Sequence, residues 1–377
     1  MVEAKVLVVV ASLLFFSFLS ASPVGSHVRH LTRSKRPPPG ALVVRNQRTR
    51  VGEFSTINDA VKELKNKKGP QFIFIHSGTY NEAVHIKYKS ALTIQGYSEN
   101  PLSYEDNQVT VIKPTVASEA GSDSKSSVIW AQVDDFKMYN INAINSYGAG
   151  KDKQAVAVTA DGDRQIYKGC RFDSYQDTLY IRSTASFFDK CSISGGVDVI
   201  FGAGSAWFEK CTIGVKPSPD NGISTITAQK RERGSNSRFV FSRCEVVGLG
   251  NSKTGSVYLG RPWSEYASVA FQFCLLPDLI NPEGWMSWQP NDPKTRHVKF
   301  LEFGNSGDGS RGQRKYGTQA RMPFTVNEVL GSVSFGSFFF LLAIFNDRVK
   351  RRESLKDASL LSVFFISFPL LGISEIQ

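Results

Sequence analysis

Histidine and cysteine are scarce in this chain of 377 residues, with five of each. The histidines are scattered and no CxxC pair occurs, so the ligand spacing of a structural zinc site is missing. An odd number of cysteines also leaves at least one of them unpaired within a single chain. We therefore expect no bound metal and no cofactor.

Several signatures of other functional classes are also missing. No GxSxG motif marks a serine esterase, and no Asn-x-Ser/Thr acceptor predicts N-glycosylation. The one GxGxxG match, Gly307 to Gly312, lacks a following helical pattern, so we interpret it as a loop. The net charge of +11 suits an anionic partner such as an acidic polysaccharide, a membrane surface or nucleic acid. We expect no nucleic acid, because basic residues are not interleaved with aromatics in a recognisable module.

The first 40 residues have the pattern of a secretory leader. Residues 1–22 carry Lys5, an uncharged run from Val6 to Leu19, and then small residues, which is typical of a signal peptide. Residues 23–40 are basic and proline-rich, and we interpret them as a linker. We therefore expect a secreted protein located outside the cell or in a cell wall.

Residues 331–377 form an atypical tail with apolar runs at 335–345 and 360–373 and a charged stretch between them. Each run is shorter than the roughly 20 residues that span a bilayer. Three interpretations stay open: translation of an unrelated or misread exon, which we favour, a membrane-associating or lipid-anchor signal, and a divergent packed cap. The second would give the tail membrane contact. We expect a monomer.

A short repeat between these ends predicts the fold. Five copies place an aromatic residue three positions before each cysteine: Tyr167/Cys170, Phe188/Cys191, Phe208/Cys211, Phe241/Cys244 and Phe271/Cys274. An earlier copy, Phe136 to Ile141, has Tyr139 in the cysteine position, so the starts are 31, 21, 20, 33 and 30 residues apart. Each copy alternates apolar and polar residues, as a half-buried strand does, and the spacing is that of a solenoid coil.

The repeat therefore predicts a parallel β-helix, which we expect to be all-β, right-handed and single-stranded. The cysteines would stack inward as small core residues, with disulfides between neighbouring coils as the alternative. Near the front, residues 55–65 have apolar side chains at 57, 60, 61 and 64. That pattern predicts one short amphipathic helix, which would cap the N-terminal end of the solenoid.

Several polar and aromatic segments stand out against this repeat: Gly78 to Glu82, Gln154 to Val158, Gly162 to Gln165, Tyr175 to Leu179, Gly196 to Gly202, Leu259 to Trp263 and Asn281 to Trp285. In these motifs the chain resembles the pectin methylesterases (pectinesterases), and it looks closer to the fungal type. The resemblance covers roughly residues 41–330 and implies the pectin-lyase-like solenoid fold. It also implies hydrolysis of methyl esters of polygalacturonate, with methyl-esterified homogalacturonan (pectin) as the substrate.

The resemblance also implies the site residues. Asp198 would be the nucleophile and Asp177 the general acid/base. Gln154 and Gln176 would form the oxyanion hole, and the Arg261 guanidinium would hold the nucleophile. The sugar contacts would come from Trp263, Tyr180, Phe201 and Trp285.

Elementary chemistry agrees with the roles of the two aspartates. They are 21 residues apart, one coil length, and adjacent parallel strands lie about 4.8 Å apart. Like charges at that distance resist double ionisation, so the pair retains a proton for the leaving methoxide. Two alternatives stay open: another pectin-active β-helix enzyme, a lyase or a polygalacturonase, and a non-catalytic carbohydrate-binding β-helix.

Overall fold

A computed structural model of the protein describes residues 35–150, 152–182, 185–219 and 222–331. The predicted signal peptide of residues 1–22, most of the predicted linker of residues 23–40 and nearly all of residues 331–377 lie outside these ranges. Three short α-helices occur within them: α1 (Ile57–Glu63), α2 (Ala117–Ala120) and α3 (Val326–Leu330). Three 3-10 turns occupy Leu64–Asn66, Ser124–Ser126 and Asp308–Ser310. No helix within the described ranges is long and apolar enough to cross a membrane.

The described strands form three parallel sheets, which we call A, B and C. Sheet A has eleven strands: β1 (Leu42–Val44), β2 (Gln71–Ile75), β5 (Leu92–Gly96), β8 (Phe136–Tyr139), β11 (Gln165–Lys168), β14 (Ala185–Asp189), β17 (Ser205–Glu209), β20 (Phe239–Ser242), β23 (Ser268–Gln272), β24 (Lys299–Phe303) and β25 (Gly317–Gln319). Sheet B has seven: β3 (Gly78–Tyr80), β6 (Val109–Lys113), β9 (Asn142–Asn145), β12 (Arg171–Asp173), β15 (Ser192–Gly195), β18 (Thr212–Val215) and β21 (Glu245–Gly248). Sheet C also has seven: β4 (Val84–Lys87), β7 (Ile129–Gln132), β10 (Val158–Ala160), β13 (Leu179–Ile181), β16 (Ile200–Gly202), β19 (Ser224–Gln229) and β22 (Val257–Pro262).

Over most of each sheet, the numbers of neighbouring strands differ by three. Each coil therefore contributes one strand to sheet A, one to sheet B and one to sheet C. This is the right-handed parallel β-helix that the repeat predicts. Because period-two alternation points every second side chain inward, the coils bury one continuous core.

An aromatic stack runs up the interior of sheet A. Ring centroids are 4.8 Å apart for Tyr167 and Phe188, and the next interior rings follow at 4.8, 4.5 and 4.3 Å up to Phe271. The strand register pairs the same residues, so each aromatic of the sequence repeat lies directly above the preceding one. Burying each ring contributes about 1.5–3 kcal/mol, which makes this stack a principal determinant of the register.

The earliest copy of the repeat is the exception, and its predicted alignment is wrong by two residues. Strand pairing sets Met138, not Phe136, beside Tyr167, and it sets Ala143 beside Phe172. Two residues before the pair of Ala143 and Phe172 stand Ile141 and Cys170, so Ile141 rather than Tyr139 occupies the cysteine position. Alternation with period two allows a two-residue slip without exchanging the inward and outward faces, so the apolar pattern could not detect it.

The five cysteines follow the same interior row. All five are free and buried. Cys191 and Cys211 lie on consecutive coils, and the backbone N–H of Cys191 donates to Sγ of Cys211 at 3.4 Å. The structure thus supports the prediction that the cysteines stack as small core residues, and it does not support the alternative of disulfides between neighbouring coils.

The predicted capping helix is present as α1. Thr56 caps its N-terminus by accepting a hydrogen bond from Asp59 N–H at 3.0 Å, and Ile57 and Ala60 are buried. The Glu82 carboxylate accepts from the backbone N–H groups of Ile57 and Asn58 at 2.8 and 3.0 Å. An acidic group at that end also interacts favourably with the helix dipole. The motif containing Glu82 therefore anchors the cap.

Candidate active site

Asp177 and Asp198 occupy equivalent positions on consecutive coils. Each lies two residues before a strand of sheet C, and those strands, β13 and β16, pair with Leu179 beside Ile200. Both aspartates have left-handed backbones, with φ of 65° and 48°. Asp and Asn tolerate this conformation better than other non-glycine residues, so the local backbone itself favours aspartate here.

The carboxylate of Asp198 is surrounded by donors. Arg261 donates from Nε to Oδ1 at 2.9 Å and from Nη2 to Oδ2 at 2.7 Å. Thr225 donates its hydroxyl to Oδ1 at 2.8 Å, and its oxygen accepts the Asp198 backbone N–H at 2.8 Å. Bidentate, charge-assisted bonds of this kind are strong and fix orientation. These hydrogen bonds therefore hold the Asp198 carboxylate in one position.

A glycine allows the strands that carry these donors to approach. Arg261 lies on β22 beside Ala228 of β19. The preceding residue, Gly260, is so close to β19 that a Cβ there would stand 2.0 Å from Oγ1 of Thr227. Any other residue would push β22 outward and move the guanidinium away from Asp198.

Asp177 has the opposite environment. It is buried, and burial raises its pKa well above the ordinary value. The negative charges of Asp198 and Asp123 raise the pKa further, and Arg261 opposes them with a smaller lowering effect. The two carboxyl groups therefore differ in their surroundings, because hydrogen-bond donors surround Asp198 whereas burial and nearby negative charge act on Asp177.

The two glutamines lie beside this pair. Backbone bridges join Gln154 to Gln176 and Gln176 to Val197, so they stand on successive coils next to the aspartates. Oε1 of Gln176 accepts the backbone N–H of Lys153 at 3.2 Å. This bond uses the carbonyl oxygen of the Gln176 amide, so its NH₂ group is the part that can act as a donor.

Three of the four predicted sugar-contact residues form one aromatic wall. Tyr180 stacks on Phe201 with ring centroids 4.4 Å apart, and Trp263 follows at 5.9 Å from Phe201. Tyr180 and Trp263 are half-buried, whereas Phe201 is 2% exposed. Phe201 therefore forms the buried part of the aromatic wall, and Tyr180 and Trp263 form its solvent-exposed surface.

The fourth residue, Trp285, is not part of this wall, and its predicted sugar contact is wrong. The side chain is fully buried in the core and stacks on Phe300 at 4.2 Å, and Nε1 points to Oε1 of Glu302 at 3.4 Å. A ring enclosed on both faces has no surface for a sugar. The motif containing Trp285 extends the interior aromatic stack instead.

Sequence reasoning missed three residues of the site: Trp288, Thr225 and Asp123. Trp288 is half-buried, and the Arg261 guanidinium lies 4.4 Å over its ring. The signal for Trp288 was present, since it follows the predicted Trp285 by three residues. Thr225 and Asp123 had no such signal, because a lone threonine in a strand and a lone aspartate in a loop are common.

The fold and the paired carboxyl groups together define a β-helix hydrolase. A sequence model described as pectinesterase matches residues 42–329. The chain belongs to the pectinesterase family and is a carboxylic ester hydrolase, as the resemblance implied.

Curated relatives agree with this membership. The chain is 37% identical to probable pectinesterase A of Aspergillus niger over 83% of its own length and 93% of the relative's. It is 39% identical to pectinesterase A of Emericella nidulans over 80% and 90% of the two lengths. Both are fungal proteins, which fits the predicted fungal type.

Solved structures agree on the fold. The pectin methylesterase from Aspergillus niger in deglycosylated form has a TM-score of 0.73 and 36% identity, covering 80% of this chain and 96% of that one. A pectin methylesterase solved in complex with a hexasaccharide has a TM-score of 0.67 and 27% identity, covering 77% of this chain and 97% of that one.

Proposed function

We propose that the chain hydrolyses methyl esters of polygalacturonate with Asp198 as nucleophile and Asp177 as general acid and then general base. Family membership carries the reaction, from pectin methyl ester and water to free carboxylate and methanol. The observation that supports the division of roles is the contrast between the two carboxyl groups. Asp198 is fixed by charged and neutral donors, and Asp177 is buried with a raised pKa.

The first half of the reaction forms a covalent intermediate. The ionised Asp198 attacks the ester carbonyl, and a bond forms between its carboxylate oxygen and the carbonyl carbon. The carbonyl oxygen becomes an oxyanion, which the side-chain amides of Gln154 and Gln176 stabilise by hydrogen bonds. When the tetrahedral species collapses, the bond to methoxide breaks and Asp177 donates its proton, so methanol leaves.

The second half restores the enzyme. Asp177, now ionised, accepts a proton from water as the water oxygen attacks the galacturonyl carbon of the acyl-enzyme anhydride. The bond to Asp198 breaks, the galacturonate carboxyl group is released, and Asp177 is again protonated. Arg261 stabilises the Asp198 carboxylate at the start and at the end of the cycle.

The aromatic wall supports a carbohydrate substrate. Tyr180 and Trp263 present flat apolar surface along sheet C, as carbohydrate subsites commonly do, and Phe201 holds them apart from the core. We propose that sugar units of the pectin chain pack against Tyr180 and Trp263.

Methanol release from methylated pectin tests the assignment of the nucleophile. Wild type should release methanol, and Asp198→Ala should lose on the order of 10⁴-fold or more of the rate, as removal of a covalent nucleophile does. Lys210→Met, a change at an exposed residue outside sheet C, is the matched control and should keep the wild-type rate. Equal rates for wild type and Asp198→Ala would refute the role of Asp198. Binding of pectin with no methanol release by wild type would favour the non-catalytic alternative.

Three further proposals concern the whole chain. We propose that it is secreted after removal of residues 1–22, which N-terminal sequencing of the protein from culture medium would test. We also propose a monomer, which light scattering during size-exclusion chromatography would test. We also propose membrane contact by residues 331–377, nearly all of which lie outside the described residues. Flotation with liposomes would test it.

A further inference from the structure

Arg231 is a buried cation that the proposed reaction does not use. It lies two residues after β19 and is 5% exposed. Burial lowers the pKa of Arg231, and the positive charge of Arg238 lowers it further. No carboxylate forms an ion pair with Arg231 among the residues that the structure describes. Because a buried charge without a counter-ion costs free energy, stability alone is a poor reason for an arginine at this position.

Arg231 contacts the turn between β22 and β23, residues 263–267, which we call the Trp263 turn. Nε of Arg231 donates to the backbone carbonyl of Tyr266, and the backbone carbonyl of Arg231 accepts the Ser264 hydroxyl at 2.6 Å. A hydrogen bond from a charged donor is stronger than one between neutral groups. The guanidinium is therefore a firm anchor for the middle of the turn.

Gln229 ties both ends of the Trp263 turn to β19. Oε1 of its fully buried side chain accepts the backbone N–H of Ser268 at 2.8 Å and that of Arg231 at 2.9 Å. The backbone carbonyl of Gln229 accepts the N–H of Trp263 at 3.1 Å. Gln229 thus fixes where the turn starts and ends, and Arg231 fixes the residues between those two points.

Trp263 is the first residue of this turn and supplies part of the exposed surface of the aromatic wall. Its ring centroid lies 5.9 Å from that of the buried Phe201, and Nζ of Lys230 lies 4.7 Å over its ring. A turn, and not a strand, carries this ring, so the angle of the ring depends on the groups that support the turn. A shift of the turn would tilt Trp263 relative to Phe201 and alter the surface of the wall.

Resting on the proposed function, we propose that Arg231 is a positioning residue whose hydrogen bonds to the Trp263 turn hold the Trp263 ring at the angle at which a sugar unit packs on it. Arg231 does not itself touch the substrate or the two aspartates. Its loss therefore weakens the binding of pectin and leaves the bond-breaking steps unchanged.

Two substitutions of similar length separate the hydrogen bond from the charge. In Arg231→Gln the amide nitrogen stands at the position of the arginine Nε and can still donate to Tyr266, whereas Arg231→Met has no donor. Arg231→Met should raise KM for methylated pectin about three- to tenfold, as expected for coupled neighbours, with kcat unchanged. Arg231→Gln should retain the wild-type KM. Arg233→Met, at an exposed residue of the same loop, is the matched control for loss of a charge and should also retain it.

A double-mutant cycle shows whether the effect passes through Trp263. In a Trp263→Ala background, Arg231→Met should cause no further rise in KM, because the ring that Arg231 positions is gone. Ser264→Ala removes the other bond between Arg231 and the turn, at a partly exposed residue, and tests the same coupling if Arg231→Met does not fold. It should raise KM when Trp263 is present and have no effect in Trp263→Ala. Thermal unfolding checks that each variant is folded.

Three results would overturn the inference. One is an unchanged KM in both Arg231→Met and Ser264→Ala. Another is an equal rise in KM with and without Trp263, which would mean that Arg231 acts on binding by another route. The third is a rise in Arg231→Gln as large as that in Arg231→Met, which would assign the effect to charge. Failure of the proposed function is distinguishable from all three, because wild type would then release no methanol.

Discussion

Arg261 and Asp198 are 63 residues apart in the chain, yet the guanidinium holds the carboxylate with two nearly parallel hydrogen bonds of 2.9 and 2.7 Å. A lysine at the same position would keep the positive charge and lose the planar fork. We expect Arg261→Lys to lower kcat by about 10- to 100-fold, the equivalent of one charged hydrogen bond. Steady-state kinetics on methylated pectin measure this. A variant with wild-type kcat would show that charge alone suffices.

The proposed oxyanion role of the two glutamines predicts a loss confined to kcat. Gln176→Ala removes one donor to a charge that exists only in the transition state, so kcat should fall about 10²–10³-fold while KM changes little. Gln154→Ala should act in the same way. Gln289→Ala, at an exposed loop residue, is the control. A rise in KM with kcat unchanged would assign the glutamines to ground-state binding instead.

The repeat predicted the fold because it is periodic, whereas the family resemblance of the motifs implied the two aspartates, and their spacing of one coil agreed with it. Inward aromatics and cysteines recur at coil spacing, and Asp177 and Asp198 are one coil apart. Neither the repeat nor the motifs indicated Thr225 or Asp123. Asp123 lies in a loop whose docking on the site depends on tertiary contacts that no local pattern encodes.

The prediction for Trp285 failed for a related reason. A tryptophan beside a loop can face outward to a sugar or inward to the core, and its sequence neighbours do not distinguish the two. In the structure this ring faces inward and contacts both Phe271 and Phe300 of the interior aromatic stack. Trp288, three residues later, is the one that reaches Arg261.

Asp123 should tune the pH dependence of the reaction. Burial contributes most to the raised pKa of Asp177, and the charges of Asp198 and then Asp123 add to it. Asp123→Asn removes one of these charges and lowers the pKa of Asp177. In the proposed mechanism Asp177 is protonated when methanol leaves, so the alkaline limb of kcat/KM should move to lower pH. Asp308→Asn, at an exposed residue, should leave the profile unchanged. A limb that stays in place in Asp123→Asn would contradict the electrostatic coupling.

Asp177 should also reduce stability at neutral pH. Its pKa is raised in the folded state above an unfolded value of about 3.9, so the folded chain binds this proton more tightly. The resulting stabilisation is fully present below the unfolded pKa and is lost as pH rises toward the folded pKa. Asp177→Asn has no such loss, and asparagine tolerates the positive φ.

We therefore expect Asp177→Asn to be inactive and to unfold at a higher temperature than wild type at neutral pH, by about 2–4 °C for each kcal/mol gained. At pH values below about 3.9 the two proteins should differ little. Calorimetry across this pH range measures both limits. Equal unfolding temperatures at neutral pH would mean that Asp177 ionises without cost in the fold.

The two tryptophans of one loop should separate binding from stability. Trp285→Ala deletes a fully buried ring and should cost about 3–5 kcal/mol, so the unfolding temperature falls markedly. Trp288→Ala removes a half-buried ring that packs on Arg261 at the site, so KM for pectin should rise several-fold while the unfolding temperature changes little. Thermal unfolding and kinetics on the same preparations give both values. A Trp285→Ala variant with a raised KM and an unchanged unfolding temperature would contradict the core position of Trp285. It would indicate that Trp285 contacts the substrate as the aromatic wall does.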